Sequence, residues 1–300
     1  MNIEVTASQL AKPDFQRNGT VVDPDQSIGS ILIRFGRLTV PDAEKIMRYQ
    51  IERNFRFGDA GMALGILTAA DIEFALSRQF EYPYLLRGES KISEEVIAAY
   101  DPFSRRVEAL RALRNQLMWR WFATGPARQA LAITSADRGE GRSLTTANLA
   151  VVFSQQGQRT LLIDADMRNP KQHVLFSLEN RIGLSSILSS RNNAEVIQPV
   201  TSLRDLSVMT AGPVPPNPLE LLGRPMFDSM LHQLSVEFDV ILIDTPSGAE
   251  YADAQTVAAR AGAAIILARQ DTSHLRKVRN LADMLSEAHV HVVGTVLNHY

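Results

Sequence analysis

The segment that most restricts the fold lies near the middle of the chain. Leu131-Ala132-Ile133-Thr134 is a short apolar run. Ser135-Ala136-Asp137-Arg138-Gly139-Glu140-Gly141-Arg142-Ser143 follows it, and a helical pattern opens at about Leu144. A strand, a glycine-bearing loop and a helix start, in that order, aim converging backbone N–H groups and the positive end of a helix dipole at one point. That point suits a phosphate. Gly139 and Gly141 permit close approach of the backbone. The loop departs from the regular GxxxxGK[ST] pattern, because Ala136 holds the first glycine position and Arg142 the lysine position.

Two further elements give the loop company. Thr160-Leu161-Leu162-Ile163 is an apolar strand that ends in Asp164-Ala165-Asp166-Met167-Arg168-Asn169-Pro170, and Phe238 to Ile243 is another that ends in Asp244-Thr245-Pro246. Both set carboxylates at a strand's C-terminal edge, where open parallel sheets hold their ligands. Mg²⁺ takes hard oxygen ligands and bridges phosphates, and Ser143, Asp166 and Asp244 are the residues placed to hold it. More strands are expected at Leu206 to Met209, Ala263 to Ala268 and Val290 to Leu297, alternating with helices. The expected fold is therefore α/β, a P-loop NTPase-like, mostly parallel sheet with flanking helices.

Composition removes several classes. The chain has 300 residues, 45% hydrophobic, so a large core is available and general disorder is excluded. Its 31 basic and 33 acidic residues leave a net charge of −2, which argues against a nucleic-acid partner. There is no cysteine, hence no disulfide framework and no thiolate chemistry. The opening residues MNIEVTASQLAKPDF carry no apolar signal region, and no run approaches the roughly 20 apolar residues of a membrane helix.

The N-terminal third repeats itself at an offset of 29: Gly29 matches Gly58, Gly36 matches Gly65, Leu38-Thr39 matches Leu67-Thr68, and Asp42, Glu44 and Gln50 match Asp71, Glu73 and Gln79. Thr39 and Thr68 each precede an Asp by three positions, a helix-start pattern, and Gly36 and Gly65 suit helix ends at positive φ. Ala43, Ile46 and Met47 form one apolar stripe, and Ile72, Ala75 and Leu76 its copy. The expected organisation is an N-terminal tail (1–26), a small helical repeat domain (27–86), a linker (87–103) and the α/β domain (104–300). Within the last, Val107, Leu110, Leu113 and Leu117 keep helical spacing, while Glu108, Arg111 and Arg114 share another face.

Two resemblances follow from these residues. The repeat resembles the MshEN domain, whose tandem motifs appear here from Ser27-Ile28-Gly29 to Gln50 and from Arg56-Phe57-Gly58 to Gln79, with Ser27 in place of the first motif's arginine. That resemblance implies cyclic di-GMP as a ligand. Residues 104–298 resemble the bacterial tyrosine kinases of the exopolysaccharide chain-length-determinant EpsG type. The match includes a modified Walker A loop, LLIDADMRNP as Walker A′, VILIDTP as Walker B, PPNPLELL at 215–222 and a closing Val-Leu-Asn. The resemblance implies that Gly139, Glu140, Gly141, Arg142, Ser143 and Leu144 wrap the phosphates of ATP and that Arg142 takes the catalytic lysine's place. It implies Asp164 as the base for the tyrosine hydroxyl or the group that orients it, Mg²⁺ on Ser143, Asp166 and Asp244, and Asn298 against adenine. Glu108, Arg111 and Arg114 fall on the family's oligomerisation motif and imply a homo-oligomer.

The same resemblance implies an integral membrane polysaccharide chain-length regulator as activating partner, and hence a cytoplasmic chain held at the inner face of the membrane without a span of its own. Leu144 stands for the usual Thr, Ser247 for the second Pro of DTPP, and the family's tyrosine cluster is reduced to Tyr300, the candidate phosphosite. Arginine keeps the lysine's charge with its donors fixed in a plane, so nucleotide binding is expected to tolerate Arg142 better than turnover does. The alternatives are a catalytically weak ATP-binding scaffold subunit of the export complex and an ATPase switch of the MinD/ParA class. Asp137 stands where that class carries its signature lysine.

Overall fold

The structure is a computed structural model that describes residues 27–79, 84–125, 129–189 and 196–299. The expected N-terminal tail and Tyr300 lie outside the described residues. The chain divides into two compact units, Met1–Tyr82 and Pro83–Tyr300.

The first unit is helical and repeats as its sequence does. α1 (Ile28–Arg34) and α2 (Val40–Arg53) are followed by α3 (Phe57–Ala63) and α4 (Ala69–Gln79). Ser27 and Thr39 cap α1 and α2 by accepting the N–H groups of Ser30 and Asp42. Thr68 and Asp71 bond reciprocally at the start of α4, with Asp71 N–H on Thr68 Oγ1 and Thr68 N–H on Asp71 Oδ2. Gly36 and Gly65 take φ of 70° and 66°, as the stops of α1 and α3 require. Ile31, Leu32, Ile46, Phe74 and Ala75 form the small core.

A cavity of about 490 Å³ in this unit is lined by apolar groups together with Ser27, Ser30, Gln50 and Gln79. Arg56 caps α3 through its backbone and does not line it. Phosphate recognition draws on cations, and this wall carries none, so the expectation of cyclic di-GMP gains no support here.

The second unit is a seven-stranded sheet among the described residues, in the order β3-β4-β2-β5-β1-β6-β7. It opens with α5 (Ile97–Tyr100), α6 (Arg105–Arg120) and β1 (Ala130–Ser135), then α7 (Arg142–Ser154) and β2 (Thr160–Asp164). Two short helices follow, α8 (Gln172–Leu175) and α9 (Leu184–Leu188), with β3 (Ile197–Pro199) and β4 (Leu206–Met209). α10 (Pro218–Leu222), α11 (Pro225–Glu237), β5 (Val240–Asp244), α12 (Asp253–Ala261), β6 (Ala263–Arg269), α13 (Leu275–Glu287) and β7 (His291–Asn298) complete it.

All neighbouring strands are parallel except β3 with β4. β3 is a three-residue edge piece containing Pro199, too short for periodicity to reveal. Leu131 and Ile133 of β1 face one core and Ala132 the other, and β2, β5 and β6 alternate likewise. The sheet is therefore buried on both sides, which explains why its strands read as continuous apolar runs.

The stretch 87–103, expected to be a linker, is part of this unit. Ile92, Val96, Ala98, Ala99 and Tyr100 are buried in the core on the α7 side of the sheet. The Asn148 carboxamide accepts Ala98 N–H at 2.8 Å, and Gln155 donates to Ala98 O at 2.9 Å. Polar residues hid the element because its apolar positions sit in a four-residue helix and its turns, not in a period.

On α6, Val107 and Leu117 are buried and Leu110 and Leu113 pack against the core, as their spacing predicts. Arg111 reaches back one turn to Glu108 at 3.0 Å, and Arg114 donates to Val152 O at 2.9 Å. Both arginines are thus engaged within the chain rather than presented with Glu108 as an open set. Among the described residues no helix is long and apolar enough to cross a membrane.

Candidate active site

Strand order brings the candidate residues together. β2, β5 and β1 are adjacent, so the Walker A′ carboxylates, Asp244 and the glycine loop all leave the sheet at one edge. Asp164 and Asp244 are direct neighbours in register. A cavity of about 560 Å³ opens there. Its wall includes Gly139, Gly141, Arg142, Ser143 and Leu144 from the loop, Asp166, Asn169 and Lys171 from the turn after β2, and Pro246, Ser247 and Tyr251 after β5.

The loop is held from behind. Gly139 and Gly141 take φ of 76° and 92°. A side chain at Gly141 would run into Asn298 Nδ2 and sit on a left-handed backbone, so the position favours glycine. Asn298 donates to Glu140 O at 3.1 Å and does not line the cavity. In this arrangement the Asn298 carboxamide supports the loop. The Glu140 side chain is fully buried, accepting Asp137 N–H at 2.8 Å and the Ser273 hydroxyl. A carboxylate turned inward in this way leaves the loop's backbone for phosphate. Arg269 donates to Gly139 O, and Lys277 binds the Asp137 carboxylate at 2.9 Å.

Arg142 lines the cavity, yet its guanidinium is tied into the protein. Nε donates to Thr245 O at 2.8 Å, and Nη1 to Asp137 O at 2.7 Å and to the Ser135 hydroxyl. The planar fork joins both ends of the loop to the Walker B turn, which a lysine ammonium could not do in the same geometry.

The carboxylates form a graded set. Asp164 is fully buried and accepts the N–H groups of Asp166 (3.2 Å), Lys171 (3.0 Å) and Gln172 (3.0 Å). Burial, and next the charge of Asp244, push its pKa well above the ordinary carboxylate range. Asp244 is also fully buried, and burial raises its pKa from 3.8 to about 6, against the lowering influence of Gln172, Ser143 and Arg142. Gln172 was not singled out by sequence. It bridges Ser143 O at 3.0 Å and Asp244 Oδ2 at 2.7 Å. Asp166 stands on the cavity wall with its Oδ1 on Asn169 N–H at 2.9 Å.

Asp244 Oδ1 is buried without a hydrogen-bond partner. An orphaned carboxylate oxygen beside a serine hydroxyl and a second carboxylate, all hard donors, fits a hydrated Mg²⁺. No cluster of three His, Cys, Asp or Glu able to hold a metal by itself occurs among the described residues. Mg²⁺ ordinarily takes one or two carboxylates and completes its shell with phosphates and water, so the donor set suffices.

Comparison with known proteins shows the fold and the family. The sequence model of the ParA family, described as "NUBPL iron-transfer P-loop NTPase", matches residues 127–300. The chain resembles MinD of Pyrococcus furiosus at 24% identity with a TM-score of 0.51 over 57% of its length, a likeness of fold. Fold and site together define a P-loop NTPase, a class that binds nucleotide with Mg²⁺. Tyrosine-protein kinase YwqD of Bacillus subtilis is 34% identical over 209 residues, 70% of this chain and 87% of that protein. The putative tyrosine-protein kinase CapB of Staphylococcus aureus is 34% identical over 66% of this chain and 86% of that one. The kinase domain of the Escherichia coli tyrosine kinase ETK superposes with a TM-score of 0.67 at 32% identity, covering 73% of this chain and 85% of that structure. The chain belongs to the bacterial tyrosine-protein kinases.

Proposed function

We propose that this kinase phosphorylates tyrosines of its own chain or of a neighbouring copy, and that it regulates exopolysaccharide polymerisation, export and chain length in the manner of the EpsG type. The observation that carries the phosphoryl-transfer reading is the cavity in which the loop, Lys171 and Asp166 meet in front of the orphaned Asp244 oxygen.

In this reading the loop N–H groups bind the phosphates of ATP, and Arg142 and Lys171 offset their charge. Ser143, Asp166 and Asp244 would hold Mg²⁺, which when bound neutralises charge between the β- and γ-phosphates. Asp164, buried behind Asp166 with its pKa raised by burial and by the charge of Asp244, is the base or the group that orients the phenol, acting through the Asp166 end of the turn. Homo-oligomerisation through the Glu108 face of α6, a membrane-embedded polysaccharide chain-length regulator as activator, an inner-membrane-associated cytoplasmic location and an MshEN-type N-terminal unit belong to the same proposal.

A second reading, an ATP-binding scaffold with little turnover, is favoured by one feature. Arg142 is spent on loop carbonyls and Thr245 O. Incubation with Mg-ATP and anti-phosphotyrosine detection separates the two. Phosphotyrosine that disappears in Asp164→Asn supports the kinase reading, and saturable ATP binding with no phosphotyrosine supports the scaffold.

A further inference from the structure

We infer that Tyr251 is a phosphoryl acceptor of this kinase, modified within its own molecule. The inference rests on the self-phosphorylation proposed above and names a site for it.

Tyr251 follows the turn between β5 and α12, and its ring belongs to two walls at once. One is the wall of the phosphate cavity. The other bounds an adjoining cavity of about 320 Å³ lined also by Arg168, Val214, Pro215 and Pro216. The acceptor in a phosphoryl transfer must stand beside the phosphate site, roughly in line with the leaving oxygen. Tyr251 is the tyrosine that the described residues place there. Tyr100 is buried, with its hydroxyl donating to Ile92 O, and Tyr49 lies in the helical unit. Tyr84 lines neither cavity.

The ring is also held. The Arg168 guanidinium lies 3.8 Å from its centroid. Arg168 is itself fixed by Asp253 through a two-pronged contact of 2.7 and 3.2 Å, and Asp253 is buried. A clamped cation on the ring face restricts the phenol to few orientations, which favours an intramolecular reaction over a bimolecular one. Arg168 also supplies positive charge beside a phosphorylated product.

The chemistry balances without a further reactant. The Tyr251 Oη–Pγ bond forms while the bond from Pγ to the bridging β–γ oxygen breaks. ADP leaves with that electron pair, and the phenolic proton passes to the carboxylate set at Asp166 and Asp164.

The test incubates the full chain with Mg-ATP alone and with Mg-ATP plus a glutamate–tyrosine copolymer, and maps phosphate by mass spectrometry at several protein concentrations. The expected result is phosphate on Tyr251, with a per-molecule rate unchanged over tenfold dilution. In Tyr251→Phe that modification is lost while a cooperative melting transition is kept. If the copolymer is phosphorylated and Tyr251 is not, this inference falls and the kinase reading stands. A rate that drops in proportion to dilution overturns the intramolecular route. If neither the chain nor the copolymer receives phosphate, the kinase reading falls, and this inference with it.

Discussion

Replacing Asp244 by asparagine should make the metal-free protein more stable at alkaline pH, although it removes a residue from the heart of the site. Asp244 is fully buried at the end of a central strand, beside Asp164 and behind Asp166. Burial lifts its pKa from 3.8 to about 6. Because the folded value is the higher one, the contribution of this group is complete below pH 4 and is lost as pH rises through about 6. The gap corresponds to roughly 3 kcal/mol, the cost of keeping an ionised carboxylate there at pH 8. Asparagine has almost the same shape, can still accept from Gln172 Nε2, and carries no charge. Any fixed cost of its amide cancels when two pH values are compared.

Between pH 4.5, where about a third of that gap is already spent, and pH 8, without Mg²⁺, Asp244→Asn should therefore gain about 2 kcal/mol relative to the parent. In a unit of this size that is roughly 4–8 °C in melting temperature. Differential scanning calorimetry in chelator at the two pH values measures it. A difference between parent and variant that does not change with pH, or that turns against the variant at pH 8, would refute the reasoning.

Three further outcomes follow from particular contacts. Asn298→Ala, which removes the bond to Glu140 O, should weaken ATP and GTP binding by a similar factor. A loss confined to ATP in competition titrations would show an adenine contact instead. Lys171→Ala should lower nucleotide affinity about tenfold, roughly 1.4 kcal/mol, and flatten its dependence on salt. An affinity equal to the parent's at low salt would remove Lys171 from the phosphate site. Asn148→Ala leaves the buried Ala98 N–H without its acceptor and should cost about 1–3 kcal/mol in urea unfolding of the second unit. No change there would return residues 87–103 to the status of a linker.

Much of this was legible in the sequence because it is encoded locally. The strand–loop–helix at 131–144, the two strands ending in aspartate and the 29-residue repeat each depend on neighbours in the chain. Topology then joined them, since β2, β5 and β1 are adjacent. What was missed is encoded by distant contacts. Gln172, Lys171 and Tyr251 acquire their places only when the turn after β2 folds back on Asp164 and the turn after β5 meets the loop. The one local signal was Pro170, which closes the Walker A′ turn just before Lys171 and Gln172. The contacts that brace the loop are equally hidden: the Glu140 carboxylate accepts Asp137 N–H and the Ser273 hydroxyl, and Asn298 donates to Glu140 O, which no spacing could show. The edge strand β3 and the packed stretch before α6 lacked any period to detect.

The account depends on one event at the loop, the binding of a magnesium–nucleotide complex. Isothermal titration of the full chain with ATP, run with Mg²⁺ and again in chelator, tests it. The prediction is saturable one-to-one binding that needs the metal and is lost in Asp166→Asn. Metal-independent binding of equal strength, or a flat titration of folded protein, would contradict it.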